Sequence, residues 1–280
     1  MAVLRVGQVD YANCLPIYYG LEKLGYSRQY EIVRGVPSRL NRMLLEGKLD
    51  TTPMSSFEYA ANSEQCLILP DLSISSDGEV GSIFLFSKKP VEELAGEIVS
   101  LTSSSATSVA LLKVLLRLYF RVECRYVTAE PDLRAMLTDA TAALLIGDDA
   151  MVAAYNPAAF WEEPLFVYDL GELWKRFTGE KMVFALWTLH REMAAGKKKE
   201  IKELARAFEE AKAYGLTHLE EVVPLASGKT GLPEEIFSHY FTLVRYDLDE
   251  SFCRGLKSFY DHAYEAGLLP RRVQLYFWEE

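Results

Sequence analysis

Residues 6 to 21 read VGQVDYANCLPIYYGL and set the start of the predicted fold. The alternating apolar residues at its beginning predict a β-strand, and the residues after Asn13 predict a helix that ends near Gly25. In an open α/β sheet, the carboxyl ends of strands and the amino ends of helices open into the same crevice, where ligands bind. The amide, the phenol and the proline of this stretch therefore stand where a ligand is expected.

Strand patterns and helix patterns alternate in two blocks of the sequence. In the first block, residues 3 to 9 and 30 to 36 predict strands, Ser38 and Gly47 delimit a helix, and PMSS at 53 to 56 ends a third strand. The second block predicts a strand at 98 to 102, a helix after Ser105, a strand at 125 to 128, a helix after Pro131 and a strand at 142 to 148. Two such sets of alternating elements predict an α/β fold.

Two extended patterns flank the second block, GSIFLFSKKP at 81 to 90 and MVFALWTLH at 182 to 190. A chain that leaves one α/β lobe, builds a second and returns has a cleft between the lobes, and these extended segments would be its hinges. We therefore predict two lobes, in which residues 1–87 and 188–280 form lobe I and the inserted residues 88–187 form lobe II. The mostly helical C-terminal part of the chain belongs to lobe I.

The composition restricts the classes of partner. The 280 residues carry a formal charge of -10 and have a pI near 5.1, which argues against a general affinity for nucleic acid or anionic membranes. The four cysteines lack CxxC spacing, so neither a metal or redox site nor a compact disulfide framework is expected. No export signal precedes the first strand, and no apolar stretch approaches the roughly 18 residues of a membrane span. We predict a cytoplasmic protein without a metal or cofactor, and a homodimer is left open.

Seven segments, in order along the chain, resemble the chorismate dehydratase family of the futalosine route to menaquinone, also called MqnA. They are residues 6–21, 40–60, 69–90, 100–116, 142–151, 173–187 and 246–269. The resemblance implies a type II periplasmic-binding-protein fold used for catalysis in the cytoplasm, and the dehydration of chorismate to 3-[(1-carboxyvinyl)oxy]benzoate. The sequence departs from the family at GEKM, residues 179–182, where a Gly-Leu-Pro-Phe-like stretch is usual. This departure bears on contacts at the edge of the cleft.

Two polar residues match the active-site asparagine and serine of that family. They are Asn13, at the predicted strand-to-helix turn, and Ser82, where lobe I passes into the first predicted hinge. The resemblance implies that both act at the reacting centre. From residue type alone, structural explanations are favoured, with Asn13 as a helix N-cap and Ser82 as a polar residue in an extended crossing.

Further polar residues at predicted helix starts are candidates for binding the substrate. Hydroxyl groups beside the free N–H groups of a first helical turn can bind a carboxylate, although helix capping explains such residues as well. The candidates of this kind are Ser55, Ser56, Ser105 and Thr107. Gly147 permits close backbone approach at a strand end, and Asp148 would either cap the next helix or accept a hydrogen bond from a ligand hydroxyl.

No side-chain base is evident in these motifs. Three of the four histidines lie outside the matched segments, and His262 lies in the predicted C-terminal helix of the last one, where a packing role is expected. Asp10, the one carboxylate of the first motif, would repel a dianionic substrate. We therefore expect a substrate-assisted reaction, in which the enolpyruvyl carboxylate takes the ring proton. The stretch SGKTG at 227 to 231 ends like a phosphate loop, but Val223 stands where the first glycine belongs. We predict a plain loop there.

Two other functions fit the same fold. A 1,4-dihydroxy-6-naphthoate synthase-like lyase of the same pathway would need a strong base in the cleft. A non-catalytic protein that binds a small anion would use the same lobes without turnover. Such proteins usually carry an export leader, a lipid anchor or a DNA-binding helix pair, and we find none of these patterns.

Overall fold

The computed structural model describes residues 3–279, which form two β-sheets with helices packed against them. The strands are β1 (Arg5–Val9), β2 (Glu31–Gly35), β3 (Thr51–Ser55), β4 (Cys66–Ser76), β5 (Ile83–Ser87), β6 (Ile98–Thr102), β7 (Arg125–Ala129), β8 (Ala142–Ile146), β9 (Phe166–Asp169), β10 (Met182–His190) and β11 (Val244–Arg245). The helices are α1 (Leu15–Lys23), α2 (Pro37–Leu45), α3 (Ser56–Ala61), α4 (Ala106–Val114), α5 (Leu133–Thr138), α6 (Gly147–Tyr155), α7 (Leu170–Thr178), α8 (Arg191–Ala195), α9 (Lys198–Thr217), α10 (Leu219–Thr230), α11 (Glu234–Leu243) and α12 (Glu250–Glu265). In this part of the chain, no helix is both long enough and apolar enough to cross a lipid bilayer.

The two sheets repeat one topology. The first has the strand order β11-β4-β10-β3-β1-β2 and the second the order β7-β6-β8-β5-β9. In each sheet three neighbouring strands pair in parallel, and a strand that arrives from the other lobe is inserted antiparallel beside them: β10 in the first sheet and β5 in the second. The predicted α/β architecture with two lobes is therefore confirmed.

The chain changes sheet at residues 77–82 and again between β9 and β10. The predicted hinges at 81–90 and 182–190 are instead mostly the strands β5 and β10, which pair along their whole length inside the sheets. Both strands are largely buried, and a central buried strand has the same continuous apolar pattern as an extended hinge. The predicted lobe boundaries at 87 and 188 therefore lie later than the changes of sheet, by about one strand at each crossing.

Several predicted helix boundaries hold and others differ. Ser105 is the N-cap of α4 and accepts a hydrogen bond from the Ser108 N–H, as predicted. Helix α2 begins at Pro37, so Ser38 lies inside it and caps nothing. The prediction of a loop at 227–231 is wrong as well, because 227–230 form the last turn of α10 and only Gly231 leaves the helix.

A buried ion-pair cluster at the start of β3 ties three parts of lobe I together. The Asp50 carboxylate accepts the Arg5 N–H at 2.8 Å and pairs with Lys197 Nζ at 2.6 Å. Burial alone would raise the pKa of Asp50, but the Arg5 N–H and the Lys197 charge outweigh it and lower the pKa from its ordinary 3.8. A lowered pKa means that the carboxylate stabilises the fold above about pH 4, and that this contribution is lost as the pH falls through the folded value.

We expect Asp50→Asn to lower the free energy of unfolding by about 2 kcal/mol at pH 7, because it removes the charge that both partners face. The difference from the unsubstituted protein should shrink as the pH falls below about 4 toward the lowered pKa of Asp50. Urea unfolding at several pH values measures this. The exposed Asp139→Asn serves as the control, with an expected change within about 0.5 kcal/mol. A difference that stays constant with pH would contradict the assignment.

Candidate active site

A cavity lies between the two sheets, and about 640 Å³ of empty space, part of it open to solvent, belongs to it. Its polar lining residues are Tyr11, Asn13, Ser55, Ser82, Ser104, Ser105 and Ser108. Its apolar walls include Val9, Ile74, Val80, Ile83, Ile146 and Phe184. These residues come from strand ends and helix starts of both lobes, which is where the crevice of an α/β sheet opens.

The cavity is electrically neutral in its side chains but not in its backbone. Among the described residues that line it, none has a charged side chain. Helices α4 and α6 begin at its wall, next to Ser105 and at Gly147. The amino end of a helix carries a partial positive charge and unpaired N–H groups, so it attracts anions. The site is therefore suited to an anion that is held by hydroxyl and peptide groups.

Asn13 lies on the cavity wall and does not cap a helix. It sits inside the 3-10 turn Ala12–Cys14, and neither this turn nor α1 has a side-chain cap. Its Oδ1 atom is buried and accepts no hydrogen bond from any described residue. A buried amide oxygen without a partner is costly, by about 1–3 kcal/mol. The N-cap explanation is thus excluded, and the amide is available to a ligand.

Ser82 lies where the chain passes from the first sheet to the second, and it also lines the cavity. Its carbonyl accepts the Gly147 N–H at 2.7 Å, and its hydroxyl accepts a hydrogen bond from Tyr240 at 3.1 Å. Gly147 has φ +62, and a Cβ there would lie 3.3 Å from the Tyr11 ring. Glycine thus allows the start of α6 to approach Tyr11 closely.

The predicted carboxylate-binding hydroxyls fall into two sets. Ser55 lines the cavity, whereas Ser56 and Thr107 lie behind its wall. The Thr107 hydroxyl donates to the Phe184 carbonyl at 3.1 Å, so the 2.6 Å contact with Ser55 uses the Ser55 proton. The Ser56 hydroxyl donates to the Val183 carbonyl at 2.7 Å. These hydroxyls join lobe II to lobe I, and the structure does not bring Ser56 or Thr107 to the ligand space.

Ser105 combines capping with access to the cavity. Its hydroxyl lies 3.0 Å from that of Ser108, and both residues line the cavity together with Ser104. Neither Ser104 nor Ser108 was among the predicted site residues, although both belong to the SSSATS run. Tyr11 was not among the predicted site residues either. Burial has the largest effect on the pKa of its phenol and raises it. It therefore stays a neutral hydrogen-bonding group.

Asp148 bridges the lobes and is not part of the cavity wall. Its carboxylate accepts the Ala12 N–H at 3.0 Å and pairs with Lys229 Nζ at 2.8 Å. Lys229, in the last turn of α10, also donates to the main-chain carbonyl of Asp10. Asp148 makes this contact across the cleft edge in place of the two roles predicted from the sequence, which were helix cap and ligand acceptor. Lys229 was missed because its partners lie far away in the sequence.

Among the described residues that line the cavity, none is a strong base or an activated nucleophile. Burial raises the pKa of the Cys14 thiol well above its usual range, so it remains protonated. None of the four histidines is among the described lining residues; His262, for example, bonds to Tyr119 at 2.7 Å away from the cleft. In residues 3–279, no three His, Cys, Asp or Glu groups lie close enough to hold a metal ion.

The departure at residues 179–182 lies outside the cavity wall. Gly179 ends α7 with φ +72, and the Lys181 carbonyl accepts the Trp174 indole N–H at 3.2 Å. Gly255 of α12 packs against the same carbonyl, where an added Cβ would lie 2.2 Å away. The segment therefore packs against α12, and the cavity is reached only two residues later, at Phe184.

Solved structures share this arrangement. Protein AF1704 from Archaeoglobus fulgidus superposes with a TM-score of 0.77 at 22% identity, covering 95% of this chain and 98% of its own. The periplasmic aliphatic sulphonate binding protein SsuA from Escherichia coli superposes with a TM-score of 0.68 at 16% identity, covering 98% and 95% of the two chains. The fold and the cleft between the lobes thus define an α/β protein of the periplasmic-binding-protein type.

Sequence relatives narrow this class. The sequence family described as menaquinone biosynthesis matches residues 4–265. A chorismate dehydratase from Thermus thermophilus is 35% identical over 267 residues, 91% of this chain and 93% of that protein. A chorismate dehydratase from Campylobacter jejuni is 29% identical over 210 residues, 74% of each chain. The chain belongs to the menaquinone biosynthesis family, and the resemblance found in the sequence is confirmed.

Proposed function

We propose that the protein is a hydro-lyase that converts chorismate to 3-[(1-carboxyvinyl)oxy]benzoate and water, the first step of futalosine-dependent menaquinone biosynthesis. Membership of the menaquinone biosynthesis family and two relatives named chorismate dehydratase support this reaction. The observation that carries it is the pairing of Asn13 and Ser82 on one neutral cavity, with an unpartnered amide oxygen.

The substrate is a dianion, and the cleft offers two kinds of group to hold it. The hydroxyls of Ser104, Ser105 and Ser108 surround the start of α4, where the helix end adds a partial positive charge. Because the described lining residues include no cation, the cavity binds the anion without forming a tight ion pair. The apolar walls exclude water, which strengthens the remaining hydrogen bonds.

The reaction itself needs one proton removed and one hydroxide released. The C–H bond at the ring carbon that bears the ether breaks, and its proton goes to the enolpyruvyl carboxylate. The electron pair forms the ring double bond as the neighbouring C–OH bond breaks. The departing hydroxide takes the proton from the carboxylic acid and leaves as water. Aromatisation drives this sequence, so the protein mainly supplies position and a dry site.

Asn13 and Ser82 are placed to act on the leaving hydroxyl. The Asn13 Oδ1 can accept a hydrogen bond from that hydroxyl, and the Asn13 amide N–H and the Ser82 hydroxyl can donate to its oxygen as negative charge develops there. Neither residue needs to change its protonation state. This division of roles accounts for a cavity that contains an amide and several hydroxyls but no ionised base among its described lining residues.

The direct test mixes the purified protein with chorismate and follows the absorbance of the aromatic product without any added cofactor. Ser82→Ala, prepared in parallel, should show strongly reduced turnover and so excludes a contaminating enzyme. Turnover by the unsubstituted protein supports the proposal. Thermal stabilisation by chorismate without product would instead indicate a non-catalytic anion-binding protein.

Asp10 tests the substrate-assisted route. Its side chain is exposed, lies outside the cavity wall and is 3.8 Å from Lys229 Nζ. Replacing it by asparagine keeps its shape and removes its charge, so kcat of Asp10→Asn should stay within about threefold of the unsubstituted enzyme. Steady-state rates with chorismate provide the measurement. A collapse of kcat in this variant would make Asp10 the base.

The lyase alternative is also distinguishable from the proposed reaction. A 1,4-dihydroxy-6-naphthoate synthase-like lyase would act on a cyclised futalosine derivative, and the cavity lacks the histidine base expected for it among its described lining residues. Product analysis with both substrates separates the two reactions.

The cytoplasmic location and the homodimer stay predictions, which cell fractionation and sedimentation would test.

A further inference from the structure

Ser82 receives a hydrogen bond from a buried tyrosine of lobe I. Tyr240 Oη donates to Ser82 Oγ at 3.1 Å, and the two residues are only 3% and 2% exposed. A phenol is a stronger acid than an alcohol, so it is the better donor of the pair. Because Tyr240 supplies the proton of this bond, the proton of Ser82 itself is left for the cavity.

The tyrosine ring is held in place from several sides. Tyr240 lies on α11 between Phe237 and Phe241, whose ring centroids are 6.3 and 5.5 Å away. Gly81 has φ +69, and a Cβ there would lie 3.3 Å from the Tyr240 ring. The Gly81 N–H donates to the buried Asp169 carboxylate at 2.7 Å, which anchors the crossing segment. The contact between Tyr240 and Ser82 is therefore built into both elements.

We propose that Tyr240 is a positioning residue for the dehydration, which directs the Ser82 hydroxyl into the cavity and strengthens it as a donor to the leaving hydroxyl. A hydroxyl that accepts one hydrogen bond becomes a better donor of the next, because the two bonds polarise each other. This inference rests on the proposed function and adds a group outside the cavity wall to it.

Tyr240 acts as a neutral donor throughout. Complete burial raises the pKa of its phenol well above the usual range, with the Ser82 hydrogen bond opposing this only in part. Forming a tyrosinate there is unfavourable, so the proton that leaves with water still comes from the enolpyruvyl carboxyl group. Removal of the Tyr240 hydroxyl should consequently lower the rate without adding or removing a limb of the pH profile.

Tyr240→Phe tests this with Tyr246→Phe as its matched control. Tyr246 is also buried, and its hydroxyl has no partner among the described residues. We expect Tyr240→Phe to lower kcat about tenfold, the effect of one neutral hydrogen bond, with KM within about twofold. Tyr246→Phe should leave both constants nearly unchanged. A merely structural role of Tyr240 would lower thermal stability and change KM as well.

A double-mutant cycle with Ser82 gives the decisive readout. If Tyr240 acts through Ser82, the variant Ser82→Ala with Tyr240→Phe should be no slower than Ser82→Ala alone. Additive losses, or a kcat of Tyr240→Phe equal to that of the unsubstituted enzyme, would overturn the inference and leave the proposed reaction intact. Failure of the unsubstituted protein to turn over chorismate would overturn both.

A second replacement covers poor folding of Tyr240→Phe. Incorporation of 3-fluorotyrosine at position 240 keeps the ring and the hydroxyl and makes the phenol a stronger donor. Its kcat should equal or exceed that of the unsubstituted enzyme with KM unchanged. A tenfold loss with the fluorinated residue would contradict the role of Tyr240 as a donor.

Discussion

Asn13→Asp should lower kcat/KM for chorismate by at least about a thousandfold while the protein remains folded. Loss of one preorganised donor to a developing charge reduces rates by about 10²–10³, and a carboxylate facing a dianion adds repulsion to that loss. Asn13 lines the cavity, and its Oδ1 has no partner in residues 3–279. The substitution changes one atom of the side chain and none of its shape.

The pH dependence of that variant makes the expectation sharper. A carboxyl group at position 13 is buried beside a dianionic ligand, so its pKa should be raised. Below that value the neutral acid resembles the amide, and part of the activity should return as the pH is lowered from about 8 to 5.5. Steady-state rates across this range measure the recovery. The unsubstituted enzyme, assayed in parallel, corrects for the pH dependence of the reaction itself.

Asn41→Asp is a matched control for burying a carboxyl group. Asn41 is 5% exposed and its Oδ1 is likewise buried without a partner among the described residues, but it lies on α2 outside the cavity wall. This variant should lose thermal stability and keep kcat within a few-fold. If Asn13→Asp instead retained activity within about tenfold, Asn13 would not lie at the reacting centre.

The sequence predicted the strand-to-helix turn correctly but not how it is made. Asparagine before a helix is most often a cap. Here a 3-10 turn precedes α1 and Pro16 occupies its first turn, so Asn13 is turned toward the cavity instead. The local sequence pattern predicts the turn, whereas the direction of the Asn13 amide depends on how α1 packs against the rest of lobe I.

Contacts across the cleft could not be predicted from the sequence, for a different reason. Lys229 meets Asp148 and Asp10, and Tyr240 meets Ser82, over separations of 81 to 219 residues. No periodicity or motif indicates such pairs in a single sequence. Ser56 and Thr107 were placed at the right helix starts, but their hydroxyls bond to backbone carbonyls of β10. A pattern of hydroxyl residues alone does not distinguish these two uses.

The packing of α1 explains why the site is sensitive to a residue far from it. Helices α1 and α9 cross so closely that each places a glycine against the backbone of the other. A Cβ on Gly215 would lie 1.9 Å from the Pro16 carbonyl oxygen, and one on Gly20 would lie 2.0 Å from the Ala211 carbonyl oxygen. Such contacts are far inside van der Waals distance. Because backbone atoms cannot rotate away as a side chain can, the helices must separate to admit a methyl group.

Gly215→Ala should therefore lower the free energy of unfolding by about 3 kcal/mol or more, at the upper end for added volume in a packed core. Since Pro16 follows Asn13 by three residues, displacement of α1 should also move the amide and lower kcat of the folded fraction. Gly228→Ala is the control: no atom of the described residues lies within 4 Å of its Cβ position, and it lies inside α10. Alanine there should be neutral or stabilising by up to about 1 kcal/mol. Urea unfolding compares the two variants, and equal transition midpoints would show that α1 and α9 are not in backbone contact.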